Sequence, residues 1–164
     1  MISIRAMVSH DREIVYEMLQ KTGVFGMQAI NLAMEYIDAY LFNAGQEEYR
    51  VVVGEDAQGE VVVFACYGPA AGTEGTCRIY WLVVTPALQH QGIGREMLAW
   101  IEERMREAGM RLVVIEVTSE EKHAAFVRFF IEQNYRQVGR IRNYFRAGED
   151  MLFYIKYLQA ESAG

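Results

Sequence analysis

The sequence is poor in cysteine and has no excess of basic residues. Its 164 residues include two cysteines, Cys66 and Cys77, whose spacing fits no metal site and which are too few for a disulfide framework. Acidic residues outnumber basic ones by 22 to 16, which gives a formal net charge of -6 at pH 7. This balance argues against a nucleic-acid-binding surface. We therefore predict no bound metal and no nucleic-acid partner.

Long hydrophobic runs, internal repeats and low-complexity linkers are lacking as well. No apolar run approaches the roughly 18 residues that a membrane span needs, and the start of the chain has no signal-peptide pattern. We therefore expect a cytoplasmic protein with no membrane partner. Hydrophobic residues, in contrast, make up 52% of the chain, which is enough for a packed core. At this length we expect a single domain over residues 1–164.

Hydrophobic periodicity predicts the order β-α-α-β-β-β-α-β-α-β-β. Alternating apolar residues and β-branched runs favour strands, and apolar residues three and four apart favour helices. The strand–helix–strand segment over 77–118 is expected to form a parallel pair through a right-handed crossover. The pattern predicts an α+β (mixed α/β) fold: a mixed, mostly antiparallel sheet of about seven strands with helices on both faces. The predicted strands are 2–8, 49–55, 60–68, 77–85, 110–118, 135–145 and 150–158, and the predicted helices are 11–21, 27–41, 94–109 and 122–133.

Two glycines, Gly92 and Gly94, stand where the 77–85 strand gives way to a helix. One explanation is a turn that needs a positive φ. The other is an anion site, because the first helical turn has unpaired N–H groups and glycine lets a phosphate approach them. Met97 stands where a dinucleotide fingerprint needs its third glycine, and no Gly-Lys-Ser/Thr follows. The glycine pair alone leaves both explanations open.

The wider segment resembles the acetyl-CoA loop of the GNAT superfamily of N-acetyltransferases. That loop reads Gln/Arg-x-x-Gly-x-Gly/Ala after a strand ending in Val-x-Pro, and here QHQGIG at 89–94 follows VTP at 84–86. VIEVTSEEKHAAFVRFFIEQNY resembles the next strand and helix of the superfamily, and IRNYFRAGEDMLFYIKYL resembles the tail of one bacterial and archaeal branch. The resemblance covers nearly the whole chain and implies the fold predicted above.

The resemblance implies a site for acetyl-CoA as co-substrate. The pyrophosphate would lie on the backbone amides from Gln91 to Arg95. The pantetheine arm would pair with the 77–85 strand like an added β-strand. In the superfamily this strand is splayed from its parallel neighbour, which leaves its edge open. The coenzyme-binding residues that the resemblance implies are Leu82, Val83, Val84, Gln89, Gln91, Gly92, Ile93, Gly94, Arg95, His123 and Phe130.

The implied reaction also needs a group that takes a proton from the acceptor amine. The 77–85 strand has no glutamate where many relatives have one, and Arg78 stands where the branch usually has Asp. Glu116, inside the apolar run LVVIEVT, is therefore the candidate base or water-positioning residue. A structural hydrogen-bonding role is the alternative for Glu116. Glu74, in a loop, is a weaker candidate for the base.

The general acid of the family is missing from its usual position. In many relatives a tyrosine protonates the leaving thiolate, but the matching residue here is Phe130, which has no proton to donate. Tyr144 is our candidate for this role, with Tyr135 as an alternative, although both are also plausible packing residues. His123 either contacts the coenzyme arm or is a surface histidine at a helix start. The aromatic residues that are candidates to line the acceptor site are Tyr67, Tyr80, Trp81, Tyr144 and Phe145.

These features predict an N-acetyltransferase that moves an acetyl group from acetyl-CoA to a primary amine of a small molecule or peptide, by direct attack in a ternary complex. The alternative is a weakly active or inactive acyl-CoA-binding sensor or partner module, which Phe130 and Arg78 favour. A structural protein whose glycine loop is only a turn is a third reading. The identity of the acceptor is left open. A homodimer paired through an exposed last strand is also possible.

Overall fold

Seven strands and four helices follow one another in the predicted order within residues 1–159, which are the residues that the structure, a computed structural model, describes. Each element begins and ends within two residues of its predicted bounds, because the apolar periodicity of these segments is clear. The strands are β1 (Ser3–Ala6), β2 (Arg50–Glu55), β3 (Val61–Pro69), β4 (Thr76–Val84), β5 (Leu112–Thr118), β6 (Arg136–Arg146) and β7 (Glu149–Tyr157). The helices are α1 (Asp11–Lys21), α2 (Met27–Phe42), α3 (Ile93–Glu107) and α4 (Ala124–Glu132).

The seven strands form one sheet in the order β1-β2-β3-β4-β5-β7-β6. Five of the neighbouring pairs are antiparallel, and only β4 and β5 run parallel. Helix α3 forms the crossover between these two strands, since a parallel pair needs a long connection. The predicted mixed, mostly antiparallel sheet is therefore confirmed. The expectation that the last strand has an exposed edge for a homodimer is wrong, because β7 lies between β5 and β6.

The helices cover both faces of the sheet, as predicted. One core lies between the sheet and the pair α3 and α4, and a second core lies between the sheet and the pair α1 and α2. Helix α3 buries Met97, Leu98 and Ile101, and helix α2 buries Ile30 and Ile37, because residues at these spacings share one side of a helix. The two cores hold the sheet rigidly on either side of β4.

Strand β4 carries one extra residue relative to β3. Tyr80 has no partner on β3, because its neighbours Ile79 and Trp81 pair with the consecutive residues Tyr67 and Cys66. An insertion of this kind is a β-bulge, which bends the strand that carries it and increases its twist. The insertion falls two residues beyond Arg78, the last residue of β4 that pairs with β5.

Strands β4 and β5 pair over only three residues. Thr76–Arg78 lies against Leu112–Val114, and both strands then continue, to Val84 and Thr118, without pairing with each other. The separation that the family resemblance implied is therefore confirmed. The separation leaves a gap between β4 and β5 in the middle of the sheet, and we call this gap the opening. It widens towards the carboxyl ends of the two strands.

The two cysteines are free and buried. Burial raises the pKa of Cys77 to about 11, so this group stays a thiol at neutral pH. Over the described part of the chain, no helix is long and apolar enough to cross a membrane. No group of three or more His, Cys, Asp or Glu side chains in residues 1–159 is placed to hold a metal ion.

Candidate active site

The connection between β4 and α3 exposes the start of the helix. Gly92 is the N-cap residue of α3, and its φ of 86° lies in the left-handed region that favours glycine. A Cβ built at Gly92 would have no other atom within 4 Å, so the space beside it is open. The two explanations of this glycine are therefore compatible: its backbone conformation favours glycine, and the space that a side chain would fill is free.

Gly94 differs from Gly92 because its backbone does not require glycine. A Cβ at Gly94 would meet the ring of Phe129 and Cγ2 of Val84 at 3.5 Å, which is an ordinary contact distance. Gly94 and its neighbour Ile93 lie in the first turn of α3, where backbone N–H groups have no intrahelical acceptor. The fold thus accepts a small side chain at position 94.

The glutamines of the loop hold its shape. Nε2 of Gln89 donates to the backbone oxygen of Val84 at 3.2 Å, and Nε2 of Gln91 donates to that of Ala87 at 3.4 Å. Arg95 is exposed on the first turn of α3 and adds a positive charge beside the loop. The loop, the helix start and the end of β4 therefore form one corner at the mouth of the opening.

The edge of β4 that faces β5 is open along its second half. The N–H of Thr85 donates to the oxygen of Val62 on β3 at 2.8 Å. Backbone groups alternate in direction along a strand, so those of Val83 also point towards β3. The groups of Leu82 and Val84 then point into the opening. Of the three strand residues expected to bind the pantetheine arm, these two present their main chain to it.

Arg78 and Glu116 form an ion pair at the point where the strands separate. Nη2 of Arg78 lies 2.5 Å from Oε1 of Glu116, and the two side chains are 42% and 32% exposed. The neighbours Ile115 and Val117 pack into the core beneath α3 and α4, so Glu116 projects from the opposite face, which carries α1 and α2. Glu116 therefore has the partner that a structural role requires, and its carboxylate also lies at the opening.

Four aromatic side chains, Tyr36, Tyr49, Tyr80 and Trp81, form a cluster on the same face, and we call it the aromatic wall. The ring centre of Tyr36 lies 5.1 Å from that of Tyr80, 5.0 Å from that of Trp81 and 4.8 Å from that of Tyr49. Tyr80 and Trp81 were predicted from the sequence to line the acceptor site, whereas Tyr36 and Tyr49 were not. Tyr67 packs against the core on the opposite face of the sheet, away from this wall.

Phe130 and Tyr135 belong to the core beneath α3 and α4. Phe130 is 1% exposed, and its ring packs edge to face against those of Phe126, Phe129 and Tyr135. The hydroxyl of Tyr135 donates to Oε1 of Glu102 at 2.9 Å. Burial, followed by the charge of Glu102, raises the pKa of Tyr135. Phe130 thus exposes almost no surface, and the Tyr135 hydroxyl is engaged by Glu102.

Tyr144 lies near the turn between β6 and β7. Its side chain is 55% exposed, and its ring contacts that of Phe145 edge to face. Ile141 and Thr118 both pair with Met151, so Tyr144 lies beyond the end of β5. This is the end of the sheet towards which the opening widens. Glu116 and Gly139 both pair with Phe153, so Tyr144 lies five residues beyond the level of Glu116 on β6, which β7 separates from β5. The role of Tyr144 as general acid stays a prediction.

His123 is the N-cap residue of α4 and is half-buried. Its ring centre lies 5.8 Å from that of Phe25, in the segment that joins α1 to α2. Burial, followed by the positive charge of Lys122, lowers the pKa of His123, which favours the neutral imidazole. The contact with Phe25 connects helices that lie on opposite faces of the sheet, close to the ends of β4 and β5.

A seven-stranded sheet with two separated parallel strands and a bare helix start beside them is the architecture of a GNAT acetyltransferase. The chain belongs to the Acetyltransferase (GNAT) family, whose model matches residues 15–143. This match includes the loop before α3, both separated strands and helix α4. The family that the sequence resemblance indicated is therefore confirmed.

Solved structures share the fold over nearly the full chain. A GNAT-family protein from Desulfovibrio desulfuricans is 29% identical, with a TM-score of 0.90 over 97% of this chain and 100% of that chain. A Salmonella typhimurium protein solved with its cofactor acetyl-CoA is 20% identical, with a TM-score of 0.72 over 100% of this chain and 98% of that chain.

Two curated relatives are N-acetyltransferases. The S-(2-succino)cysteine N-acetyltransferase of Bacillus subtilis is 21% identical over 127 residues, which are 76% of this chain and 73% of that protein. The aminoalkylphosphonate N-acetyltransferase of Salmonella typhimurium is 38% identical over 56 residues, which are 34% of this chain and 35% of that protein. The chain thus matches about a third of the length of the second relative.

Proposed function

We propose that the protein is an N-acetyltransferase that moves an acetyl group from acetyl-CoA to a primary amine by direct attack in a ternary complex. The observation that carries this proposal is the open edge of β4 beside the bare start of α3. The main-chain groups of Leu82 and Val84 that point into the opening suit the amides of the pantetheine arm, since the Val84 oxygen can accept a second bond beside that from Gln89. The first-turn amides of α3 suit the pyrophosphate.

We assign to Glu116 the role of accepting a proton from the acceptor amine. A lysine-type amine has a pKa of about 10.4, so only about one molecule in 2,500 is deprotonated at pH 7. A carboxylate at the opening can accept the proton as the amine attacks, directly or through water. Arg78 engages Oε1 of Glu116, and Oε2 stays available for the amine. The exposed position of the pair favours access from solvent.

One bond forms and one bond breaks at the thioester carbon in the proposed step. The amine nitrogen forms a bond to the thioester carbonyl carbon, the carbon–sulfur bond breaks, and the sulfur leaves as a thiolate. A backbone N–H on the open edge of β4 is the candidate donor to the oxygen that becomes negative. The thiolate belongs to a thiol with a pKa of about 8.5, so it leaves with little assistance. Tyr144 is our candidate to protonate it.

A small-molecule acceptor is favoured over a protein. Both curated relatives are named for N-acetylation of small amines, S-(2-succino)cysteine and aminoalkylphosphonates. The aromatic wall, which lies beside the opening, offers apolar surface to a small acceptor. We include acetyl-CoA in the proposal as co-substrate and no metal.

The alternative is an acyl-CoA-binding sensor, favoured by Phe130, which lacks the hydroxyl of a general acid. Two measurements separate the proposals. A ligand present at 100 times its Kd adds about 2.7 kcal/mol to the free energy of unfolding, so thermal unfolding with acetyl-CoA tests binding. Thioester cleavage over a panel of amines tests transfer. Binding without turnover on any amine supports the sensor, and no binding at all contradicts both proposals.

A further inference from the structure

We propose that the acceptor is an α-amino acid with an aromatic or large apolar side chain, and that Arg78 and Glu116 bind its two charged groups. This inference rests on the proposed acetyltransferase function. The carboxylate of the amino acid would accept hydrogen bonds from Arg78, and its amino group would donate to Glu116. The side chain would lie against the aromatic wall.

The ion pair has unused hydrogen-bonding capacity. Within residues 1–159, Arg78 donates one side-chain hydrogen bond, from Nη2 to Oε1 of Glu116. A guanidinium has five N–H groups in a fork that matches a carboxylate. Arg12 meets Asp38 through both Nε and Nη2, which is the two-bond geometry typical of a structural pair. Arg78 keeps Nε, Nη1 and the second N–H of Nη2, so one two-bond edge of the guanidinium is left for a second carboxylate.

The ion pair lies where β4 and β5 separate. Arg78 is the last residue of β4 that pairs with β5, opposite Val114, and Glu116 lies two residues further along β5. Both side chains project on the face that carries α1 and α2, at the closed end of the opening. An amine held there lies next to the first unpaired segment of β4, along which the thioester would run. The pair is therefore placed to position a nucleophile.

The aromatic wall neighbours the ion pair on the same face of the sheet. Tyr80 follows Arg78 by two residues on β4, and Tyr36 packs on Tyr80 and Trp81 from α2. Cys77 and Ile79 pack into the core beneath α3 and α4, so Arg78 projects from the opposite face of β4, the face on which Tyr80 and Tyr36 pack. A positive charge beside aromatic surface suits a molecule that joins a carboxylate to an apolar side chain.

The charges of an α-amino acid match those of the site. Its ammonium and carboxylate groups sit on one carbon, just as the opposite charges of Glu116 and Arg78 lie side by side. An amine without the carboxylate would leave the Arg78 donors without a new partner. A site built to hydrogen-bond a substrate group discriminates against an analogue that lacks it. The reaction itself is unchanged: the ammonium nitrogen gives one proton to Glu116 and attacks the thioester carbon. As the carbon–sulfur bond breaks, the nitrogen loses a second proton, and the leaving thiolate takes up a proton in exchange.

The test compares amino acids with the amines formed by removing their carboxylate. We would measure kcat/KM with acetyl-CoA for L-phenylalanine against phenethylamine, and for L-tryptophan against tryptamine. The expected result is a preference of tenfold or more for the amino acid of each pair. In Arg78→Gln this preference disappears, while the Kd for acetyl-CoA is unchanged. Arg78→Lys, which keeps the charge but loses the fork, retains part of it.

Arg12→Gln is the matched control, because it also removes one arginine from a half-exposed ion pair on the same face. It is expected to keep the full preference for amino acids. If the amines react as fast as the amino acids, the inference is wrong but the acetyltransferase proposal survives. If neither class reacts although acetyl-CoA binds, the inference is wrong and the sensor alternative gains support. If Arg12→Gln loses the preference as Arg78→Gln does, Arg78 has no specific role.

Discussion

The side-chain amide of Gln89 is hydrogen bonded to the main-chain oxygen of Val84, with 3.2 Å between the two atoms. This bond ties the loop before α3 to the last residue of β4. The helix start and the open strand edge, which are expected to bind different parts of one coenzyme, are therefore held at a fixed spacing. A carbonyl oxygen has two lone pairs, so Val84 can accept a second hydrogen bond from a ligand.

Replacing Gly92 with alanine is expected to weaken acetyl-CoA binding by about tenfold. Left-handed backbone costs about 1–2 kcal/mol for residues other than glycine, so some stability is lost as well. Gly59→Ala is the matched control, since φ is 83° at Gly59 and 86° at Gly92 and a Cβ at either meets nothing within 4 Å. Calorimetric titration and chemical denaturation of both variants measure the two effects. Equal Kd values in the two variants would contradict a phosphate site at Gly92.

Glu116→Gln is expected to lower kcat by about 100-fold or more at pH 7, the range typical of a lost general base. The loss becomes smaller towards pH 10, because a growing share of the amine is then already deprotonated. Glu74→Gln, which changes the other candidate carboxylate, is expected to keep the rate and the pH profile of the unmodified protein. Steady-state rates between pH 6 and 10 check both expectations. A normal rate in Glu116→Gln would assign Glu116 to the ion pair alone.

The two candidate tyrosines are expected to respond in opposite ways to removal of the hydroxyl. Tyr144→Phe lowers kcat severalfold and leaves stability unchanged, because its side chain is exposed. Tyr135→Phe keeps kcat but destabilises the fold by about 1–3 kcal/mol, since buried Glu102 loses a hydrogen-bond donor. Turnover rates and urea denaturation midpoints distinguish these outcomes. An unchanged kcat in Tyr144→Phe would mean that the thiolate leaves without this residue.

Stability is expected to decrease as the pH falls below about 6.5, the usual pKa of histidine. Burial, followed by the charge of Lys122, holds the pKa of His123 below that value in the folded protein. The unfolded chain therefore binds more protons in this range, and the free energy of unfolding falls with decreasing pH. Denaturation between pH 5 and 8 is expected to show a shallower slope in His123→Asn. A slope unaltered by His123→Asn would refute the linkage.

Local patterns determine most of the fold but only part of the site. Helix and strand periodicity gave every element, and the loop motif located Gly92, because both signals lie in neighbouring residues. The contact between Arg78 and Glu116 depends on how β4 and β5 align, which is set by the three-residue pairing and not by either segment alone. Tyr36 was missed for a similar reason. Its spacing on α2 is that of a core residue, and only packing against Tyr80 places it at the site.

The extra residue in β4 also affects the energetics of ligand binding. The inserted Tyr80 bends β4 just beyond Arg78, where the pairing with β5 ends, and the rest of this edge is open before any ligand arrives. A coenzyme that adds to this edge therefore breaks no inter-strand hydrogen bonds on entry, and it can contribute its own without a compensating loss. The strand edge is therefore preorganised for the coenzyme. Without the inserted residue, part of the binding free energy would be used to separate β4 from β5.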